Sequence, residues 1–214
     1  MTQRALERSA IQYAEFWLRR ERSFVEALAG HDPDARLQGL RSAAGYFRIA
    51  RNFPTEFDLR RGLPRLAPVR DLLEDPSLRH LTQRNLNPLV ESLRRMLGDL
   101  YGGRDLLSAA TKFLWVLRGD PVIIFDSQAR VALGTPYADY GAYVDSWRAM
   151  YTEYAPAIRA ACRPVVRNRD LAPDPTAQSE RAKAGADQEW FRHRVFDIHL
   201  WTLGAGKRLA PVRP

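Results

Sequence analysis

The sequence predicts an all-α protein that forms one domain over residues 1–214, with two helical lobes and a central cleft. Three observations lead to this prediction. Apolar residues recur at spacings of three and four along most of the chain, which is the period of a helix. No run alternates apolar and polar residues for long enough to predict a sheet. The chain has 214 residues, of which 45% are hydrophobic, so it can bury a core without disulfide bonds.

Residues that begin and end helices divide the first half of the chain. Asp32-Pro33 is typical of a helix start, because aspartate caps free amide groups and proline fits the first turn. Pro54, Gly62 and Pro64 predict an irregular connection over 52–66. We therefore expect helices at 4–29, 33–51, 67–74, 76–81 and 84–100.

The second half begins with a tight turn and contains one extended segment. Tyr101-Gly102-Gly103 predicts the turn, and Gly119-Asp120-Pro121 ends the helix that follows it. Val122-Ile123-Ile124-Phe125 is then a buried extended segment that leads directly into Asp126. The expected elements are helices at 104–118, 126–134 and 138–161, a loop at 163–176, a last helix from 176 or 187 to 203, and a frayed tail at 204–214.

Composition excludes several classes of protein. No apolar run approaches the roughly 18–20 residues of a membrane-spanning helix, and the first thirty residues do not resemble a secretory leader. We therefore expect a cytoplasmic protein with no membrane partner. Cys162 is the only cysteine, and the four histidines lack zinc-binding spacing, so we expect no disulfide, no metal and no cofactor. We also expect a monomer.

The charge balance favours an anionic partner. Lysine and arginine total 33 against 25 acidic residues, a net charge of +8, and the only lysines are Lys112, Lys183 and Lys207. Arginine forks suit bidentate contacts with phosphate, which favours nucleic acid. A GC-rich genome, which encodes arginine by default, explains the same excess equally well.

Two residues are candidates for chemistry. Lys112 is a lysine on an apolar helix in a chain that otherwise uses arginine, and a partly buried amine can act as a nucleophile. A lysine that extends its amine from the helix flank to water explains the position equally well. Asp126 follows the buried run, where a carboxylate can face a cleft and stabilise positive charge on a sugar. Simple capping of the next helix is the alternative, and it is the more frequent role of an aspartate at this position.

The order of these features resembles the helix-hairpin-helix DNA glycosylases, in the branch with the 8-oxoguanine glycosylase fold. The matching part is about 84–134: a helix, the Gly102-Gly103 turn, a helix with Lys112, and Asp126 after the apolar run. The resemblance implies a compact glycosylase-like fold in which Asp126 promotes cleavage of the N-glycosidic bond. It also implies that the hairpin binds DNA phosphate through its backbone amides, and that Lys112 contributes lyase chemistry if it reaches the sugar.

The remaining predicted site residues hold the DNA or its extruded base. The predicted contacts with the DNA backbone are Gly102, Gly103, Arg104, Gln128 and Arg130. Arg51-Asn52-Phe53 is a candidate wedge, in which Asn52 bonds to the base left unpaired, and a helix C-cap explains this segment at least as well. The aromatic candidates for stacking on the base are Trp115, Tyr137, Tyr140, Trp147, Trp190, Phe191 and Trp201, although each is more often a core residue. Arg194 and Asp197 are expected to form an ion pair first and to read the base second.

These features predict a DNA glycosylase that acts on double-stranded DNA and leaves an abasic site. The long interval from Gly103 to Lys112 favours excision of modified cytosines, such as glucosylated hydroxymethylcytosine in phage DNA, as an anti-phage defence. An 8-oxoguanine repair glycosylase is the first alternative. A non-catalytic DNA-binding module is the second, and a helical protein that docks a partner is the third.

Overall fold

The structure is a computed structural model that describes residues 2–137, 139–167 and 185–209, and it confirms the all-α prediction. In chain order the elements are α1 Gln3–Phe16, α2 Arg22–Ala29, α3 Pro33–Tyr46, β1 Glu56–Asp58, β2 Leu63–Pro64, α4 Ala67–Leu72, α5 Leu86–Leu100, α6 Leu107–Arg118, α7 Ser127–Leu133, α8 Tyr140–Arg167 and α9 Glu189–Leu209. Short 3₁₀ turns occur at Ala50–Asn52 and Pro76–His80.

The described residues group into two compact units. The terminal unit combines residues 1–19 with 125–214, and the central unit comprises residues 20–124. In the terminal unit, α9 packs on α1, α7 and α8, and α1 also packs on α8. In the central unit, α2 packs on α3 and α6, and α5 packs on α6. Each unit therefore has its own set of packed helices.

Buried aromatic side chains form the core of the terminal unit. Tyr13 of α1, Tyr143 and Trp147 of α8, and Phe191 and Phe196 of α9 are each almost fully buried. Tyr13 contacts Phe191 and Trp147 contacts Phe196, with ring centroids 4.8 and 5.1 Å apart. These rings remove a large apolar area from water, which stabilises the packing of α1, α8 and α9.

Three predicted elements in the first half of the chain are corrected. A π-helical turn over Trp17–Glu21 interrupts the helix expected at 4–29. The helix expected to reach residue 51 ends at Tyr46, because Arg48 adopts a positive φ of 56° that no helix continues through. The connection over 52–66 contains an antiparallel β1–β2 pair, whose turn is held by the Asp58 carboxylate accepting from the amides of Arg60 and Arg61.

Two helices are longer than predicted. α8 continues through Pro156 and Pro164 to Arg167, so part of the loop expected at 163–176 is helical. Ile158, Ala161, Cys162 and Val165 are all buried, and their helical spacing extends the apolar stripe past both prolines. Packing therefore outweighs the cost of proline in this helix. The rest of the predicted loop and the alternative helix start at 176 lie outside the described residues.

The last helix also extends beyond its predicted end at residue 203. α9 reaches Leu209, because its C-terminal part packs on α7. Gly204 lies so close to α7 that a side chain there would meet the Gln128 carbonyl. One turn on, Lys207 Nζ donates to the Ala132 carbonyl at 3.0 Å. The prediction of a frayed tail from residue 204 is thus wrong through Leu209, and residues 210–214 lie outside the described chain.

Candidate functional site

Asp126 lies where the buried run 122–125 ends and α7 begins. Val122, Ile123, Ile124 and Phe125 are each 3% exposed, whereas Asp126 is partly exposed. Asp126 Oδ1 accepts a hydrogen bond from the Gln128 amide at 2.8 Å, which makes this carboxylate the N-cap of α7. The capping predicted for Asp126 is therefore present, and it holds the carboxylate in one orientation at the edge of the core.

An exposed aromatic side chain contacts the residue before this carboxylate. Tyr137 is 65% exposed, and its ring packs against Phe125, the residue before Asp126, at a centroid distance of 6.5 Å. The Arg130 guanidinium lies 5.7 Å from the Tyr137 ring centroid and also donates to the Thr135 carbonyl. Tyr137 and Arg130 therefore contact each other close in sequence to Asp126, and we call these three residues the Asp126 surface.

Polar groups behind the Asp126 surface lack protein partners. The Gln128 amide donates to Asp126, and the predicted contact of Gln128 with a DNA phosphate stays a prediction. Among the described residues, no hydrogen-bond partner is found for Gln128 Oε1, Arg130 Nε or Thr135 Oγ1, and all three atoms are buried. Because a buried polar atom without a partner is costly, these atoms mark α7 as a place where packing is not optimised for stability.

In the predicted phosphate-binding hairpin, the Gly103 amide and the first amide of α6 are engaged by the protein itself. Gly102 and Gly103 have positive φ values of 82° and 73°, as the tight turn requires. However, the Gly103 amide donates to the Gly98 carbonyl at 2.8 Å. Asp105 caps α6 by accepting from the Leu107 amide. The predicted grip on phosphate by the Gly103 amide is therefore wrong for this conformation.

Arg104 and Asn52, two of the predicted DNA contacts, lie together in the central unit. Arg104 Nη1 donates to the Asn52 carbonyl at 3.0 Å, and the Arg104 side chain is exposed. The neighbouring Phe53 is buried at 4% exposure against Tyr101 and Phe113, so it does not reach solvent as a wedge. Of the segment Arg51-Asn52-Phe53, only the first two residues are accessible.

Lys112 is buried in α6 of the central unit. Its side chain is 6% exposed, and Nζ donates to Ser108 Oγ at 3.0 Å and lies 5.9 Å from the centroid of the Phe47 ring. The alternative in which the amine extends from the helix flank to water is therefore wrong. Ser108 lies inside α6, one turn before Lys112, and accepts the hydrogen bond from its amine.

Two predicted base-stacking tryptophans have neighbours in the fold. Trp115 is 2% exposed and lies edge-on to Phe47, so it is a core residue of the central unit and the prediction that it stacks on a base is corrected. Trp190 is partly exposed and packs on Trp17 at a centroid distance of 4.6 Å. Of the predicted aromatic residues, Tyr137 and Trp201 offer the most surface, at 65% and 45% exposure.

Arg194 and Asp197 form the expected ion pair on α9. Arg194 Nη1 donates to Asp197 Oδ2 at 2.9 Å, and the indole of Trp147 donates to Asp197 Oδ1 at 2.8 Å. Burial raises the pKa of Asp197, although the neighbouring Arg194 opposes this change. Since both charged side chains are less than 10% exposed, they hold α8 and α9 together, and the prediction that they read the base is corrected.

Sequence reasoning missed a second polar cluster between α8 and α9. The Tyr151 hydroxyl donates to Glu189 Oε1 at 2.6 Å, and the Tyr151 ring stacks on Trp147 at 5.0 Å. His193 lies edge-on to both rings. The i,i+4 spacing of Trp147 with Tyr151 and of Glu189 with His193 places each pair on one helix face, but only the structure shows that the two faces meet.

Two features are absent from the part of the chain that is described. No group of three or more histidine, cysteine, aspartate or glutamate side chains there is arranged to hold a metal ion. No described helix combines the length and the apolar character that crossing a membrane requires.

Comparisons with protein-family models, with curated proteins and with solved structures find no match to the chain.

Proposed function

We propose that the protein is a DNA glycosylase that extrudes a modified base and cleaves its N-glycosidic bond. The observation that carries the proposal is the Asp126 surface: a carboxylate oriented by the Gln128 amide directly after Phe125, on which an exposed tyrosine packs with an arginine at its ring. The resemblance of residues 84–134 to the helix-hairpin-helix glycosylases supports the same function. The net charge of +8 supports a DNA partner.

Asp126 has the chemical role in this proposal. As the bond between C1′ and the base breaks, its electron pair leaves with the base and the sugar acquires oxocarbenium character. The negative carboxylate of Asp126 stabilises that charge. Water then adds to C1′, and the proton that it loses neutralises the departing base, which leaves an abasic site. A carboxylate oriented by a backbone amide before the reaction needs less reorganisation than a mobile side chain.

Tyr137 and Arg130 hold the extruded base and its phosphate in this proposal. A tyrosine that is 65% exposed presents a ring face on which a base can stack. Arg130 bonds to the Thr135 carbonyl through Nη1, and its guanidinium contains further N–H groups suited to phosphate oxygens. The two side chains thus supply stacking and charge next to the reacting carboxylate.

Water, and not Lys112, is the nucleophile in this proposal. Lys112 is 6% exposed and its amine is bonded to the Ser108 hydroxyl, so the structure favours a monofunctional glycosylase over a glycosylase/lyase. Borohydride traps the Schiff base that a lyase forms with an abasic sugar. We expect no trapped protein–DNA adduct. A covalent adduct that disappears in Lys112→Gln would show lyase chemistry.

The favoured substrate is a modified cytosine in phage DNA, and 8-oxoguanine is the alternative. We would incubate the protein with three duplexes that contain glucosylated hydroxymethylcytosine, 8-oxoguanine or only ordinary bases, and measure abasic sites by alkaline strand cleavage. We expect cleavage of the first duplex above the other two. Cleavage of the 8-oxoguanine duplex alone would select repair, and no cleavage of any duplex would contradict the enzyme proposal.

A matched pair of variants tests the role of Asp126. Asp126→Asn keeps a side-chain oxygen that can cap α7 but removes the charge, so we expect excision to fall by about 10²-fold or more with little change in thermal stability. Asp139→Asn is the control, because Asp139 also caps a helix in the terminal unit, by accepting from the Ala142 amide. Equal activity of the two variants would show that Asp126 is only a cap.

A non-catalytic DNA-binding module is the second candidate, and the exposed Arg104 favours it. Under this alternative Asp126→Asn keeps full function, whereas Arg104→Ala and Arg130→Ala weaken DNA binding and flatten its dependence on salt. Measuring excision and binding on the same set of variants separates the two functions. Binding with no abasic product on any substrate would select the module.

A further inference from the structure

A surface pocket lies in the central unit, away in sequence from Asp126. Its volume is about 380 Å³, and it is lined by Arg51, Phe53, Pro54, Phe57, Leu100, Tyr101 and Arg104. One wall follows the 3₁₀ turn at Ala50–Asn52 and includes β1, and the other is the end of α5 with the turn after it. We call this site the Arg51 pocket.

Hydrogen bonds and ring contacts hold the walls of the Arg51 pocket in place. The Tyr101 hydroxyl donates to the Arg65 carbonyl at 2.8 Å, and Arg65 Nε donates to the Pro54 carbonyl. The Tyr101 ring lies edge-on to Phe53 and to Phe57, at centroid distances of 4.8 and 5.3 Å. These contacts connect both walls, so the pocket is formed before any ligand arrives.

The charge of the Arg51 pocket has one sign. Arg51 and Arg104 are exposed, and no acidic side chain is among the lining residues. Four acids are next to a lining residue in sequence, namely Glu56, Asp58, Asp99 and Asp105, but none of them lines the pocket. Asp105 pairs with Arg94 at 2.8 Å and accepts from the Leu107 amide. Arg104 uses Nη1 to bond the Asn52 carbonyl, and the rest of its fork can serve a ligand. Two guanidinium groups without a carboxylate between them are suited to a phosphate.

The pocket is larger than phosphate alone needs, and part of its lining is apolar. Phe57, Pro54 and Leu100 are partly or fully exposed, and they present apolar surface beside the two arginines. A volume of about 380 Å³ is within the usual range of pockets for small organic ligands. A nucleotide combines a phosphate with a flat base, and aromatic or apolar side chains support such bases in proteins that bind single strands.

We propose that the Arg51 pocket binds one unpaired nucleotide, with its phosphate between Arg51 and Arg104 and its base against Phe57. The nucleotide comes either from a DNA strand or from a free nucleoside monophosphate. Because the ligand is a nucleotide of DNA, this inference rests on the proposed function. The test measures binding and needs no base excision. Failure of the pocket proposal therefore leaves the glycosylase proposal standing, and the reverse also holds.

The test measures binding of a fluorescein-labelled oligothymidylate by fluorescence anisotropy, with unlabelled competitors. We expect competition by thymidine monophosphate, and competition weaker by about tenfold or more from thymidine and from inorganic phosphate, because each lacks half of the recognised unit. If only the oligonucleotide competes, the nucleotide comes from a strand. If thymidine monophosphate competes as well as the unlabelled oligonucleotide, the pocket accepts the free nucleotide. Equal competition by inorganic phosphate and thymidine monophosphate would overturn the proposal.

Variants locate the binding in the pocket. Arg51→Ala is expected to weaken oligonucleotide binding by about tenfold, which corresponds to loss of charged hydrogen bonds to phosphate. Arg95→Ala is the matched control, because it removes the same charge from an exposed position of α5 that does not line the pocket. Equal effects of Arg51→Ala and Arg95→Ala would show nonspecific attraction and would overturn the proposal.

A third variant tests the contact with the base. Phe57→Ala is expected to weaken binding of thymidine monophosphate several-fold and to leave competition by inorganic phosphate unchanged, since stacking concerns the base alone. Far-ultraviolet circular dichroism and the melting temperature verify that each variant is folded. An unfolded Phe57→Ala is replaced by Phe57→Leu, which keeps apolar volume but removes the ring face. Unchanged nucleotide binding in the folded variant would contradict the assignment of the base.

Discussion

Each unit of the protein has a glycine where two helices come close, but the atoms that face the glycine differ between the units. In the terminal unit, a side chain at Gly204 of α9 would meet the backbone carbonyl of Gln128 in α7. In the central unit, a side chain at Gly39 of α3 would meet Leu28 Cδ1 and Ala27 Cβ of α2, at 2.8 and 2.9 Å. A backbone group cannot rotate away, whereas a leucine methyl can. The α7–α9 contact therefore tolerates less change than the α2–α3 contact.

The buried ion pair of the terminal unit also differs from the exposed arginines of the central unit. The terminal unit buries the Arg194–Asp197 pair, with the Trp147 indole as a further donor to Asp197. The central unit buries Lys112 but leaves Arg51 and Arg104 exposed around a pocket. Buried charge needs partners and fixes a structure, whereas exposed charge can serve a ligand. The comparison predicts that breaking the buried pair costs more stability than removing an exposed charge.

The largest expected effect comes from breaking the buried ion pair. Asp197→Ala leaves Arg194 and the Trp147 indole buried without this acceptor, so we expect a loss of about 3–5 kcal/mol in the free energy of unfolding. Urea denaturation followed by circular dichroism measures it. Asp145→Ala on α8 is the control, because Asp145 is exposed and we expect a change within about 0.5 kcal/mol. A similar small effect at both positions would contradict the role given to the pair.

The next effect tests the close approach of α9 to α7. Gly204→Ala forces the two helices apart at the Gln128 carbonyl, so we expect a loss of about 1–3 kcal/mol. Gly206→Ala, two residues along α9, meets nothing within 4 Å and is expected to be neutral or stabilising by up to about 1 kcal/mol. Chemical denaturation of both variants compares them directly. If they have equal stability, α9 does not pack on α7 as the structure shows.

A smaller effect is expected at the corresponding glycine of the central unit. Gly39→Ala requires Leu28 to rotate and Ala27 to move slightly, for which we expect a loss of about 1 kcal/mol. Gly45→Ala in the same helix meets nothing within 4 Å and is the matched control. The same denaturation measurement applies. A Gly39→Ala variant less stable than Gly204→Ala would reverse the order of the two contacts.

The smallest effect concerns pH and His199 of α9. Burial lowers the pKa of this imidazole, so the folded protein keeps it neutral at a pH where the unfolded chain binds a proton. Stability from this group is therefore present above the ordinary histidine pKa of about 6.5 and is lost as pH falls below it. We expect the loss of stability between pH 7 and pH 5.5 to be smaller in His199→Gln.

The control for the pH measurement is His31→Gln, because His31 is exposed in the connection between α2 and α3. Urea denaturation at both pH values gives the change in stability for each variant and for the unaltered protein. We expect His31→Gln to behave like the unaltered protein. An unchanged pH dependence in His199→Gln would show that the buried imidazole does not contribute to it.

Local residue patterns predicted part of the candidate site. Asp126 follows a buried apolar run and caps a short helix, as the sequence indicated, because both features depend on neighbouring residues. The Arg194–Asp197 pair followed from its spacing of three on one helix. The core position favoured for Trp115 is confirmed. The near-complete burial of Lys112 was not predicted, since the helical period of α6 does not say how many neighbours surround it.

Sequence alone determined that the protein is helical, because an apolar period of three and four residues is a local property that each segment carries by itself. It also determined the turn at Gly102-Gly103 and the break after Arg118, where glycine and proline restrict the backbone directly.

Only the tertiary structure decided that α8 and α9 continue past their predicted ends, that the Gly103 amide is engaged, and that Arg51 and Arg104 share a pocket. These features depend on contacts between residues far apart in the chain. A helix continues past proline or glycine when the buried surface gained at a distant neighbour outweighs the local cost, and no local pattern records that neighbour.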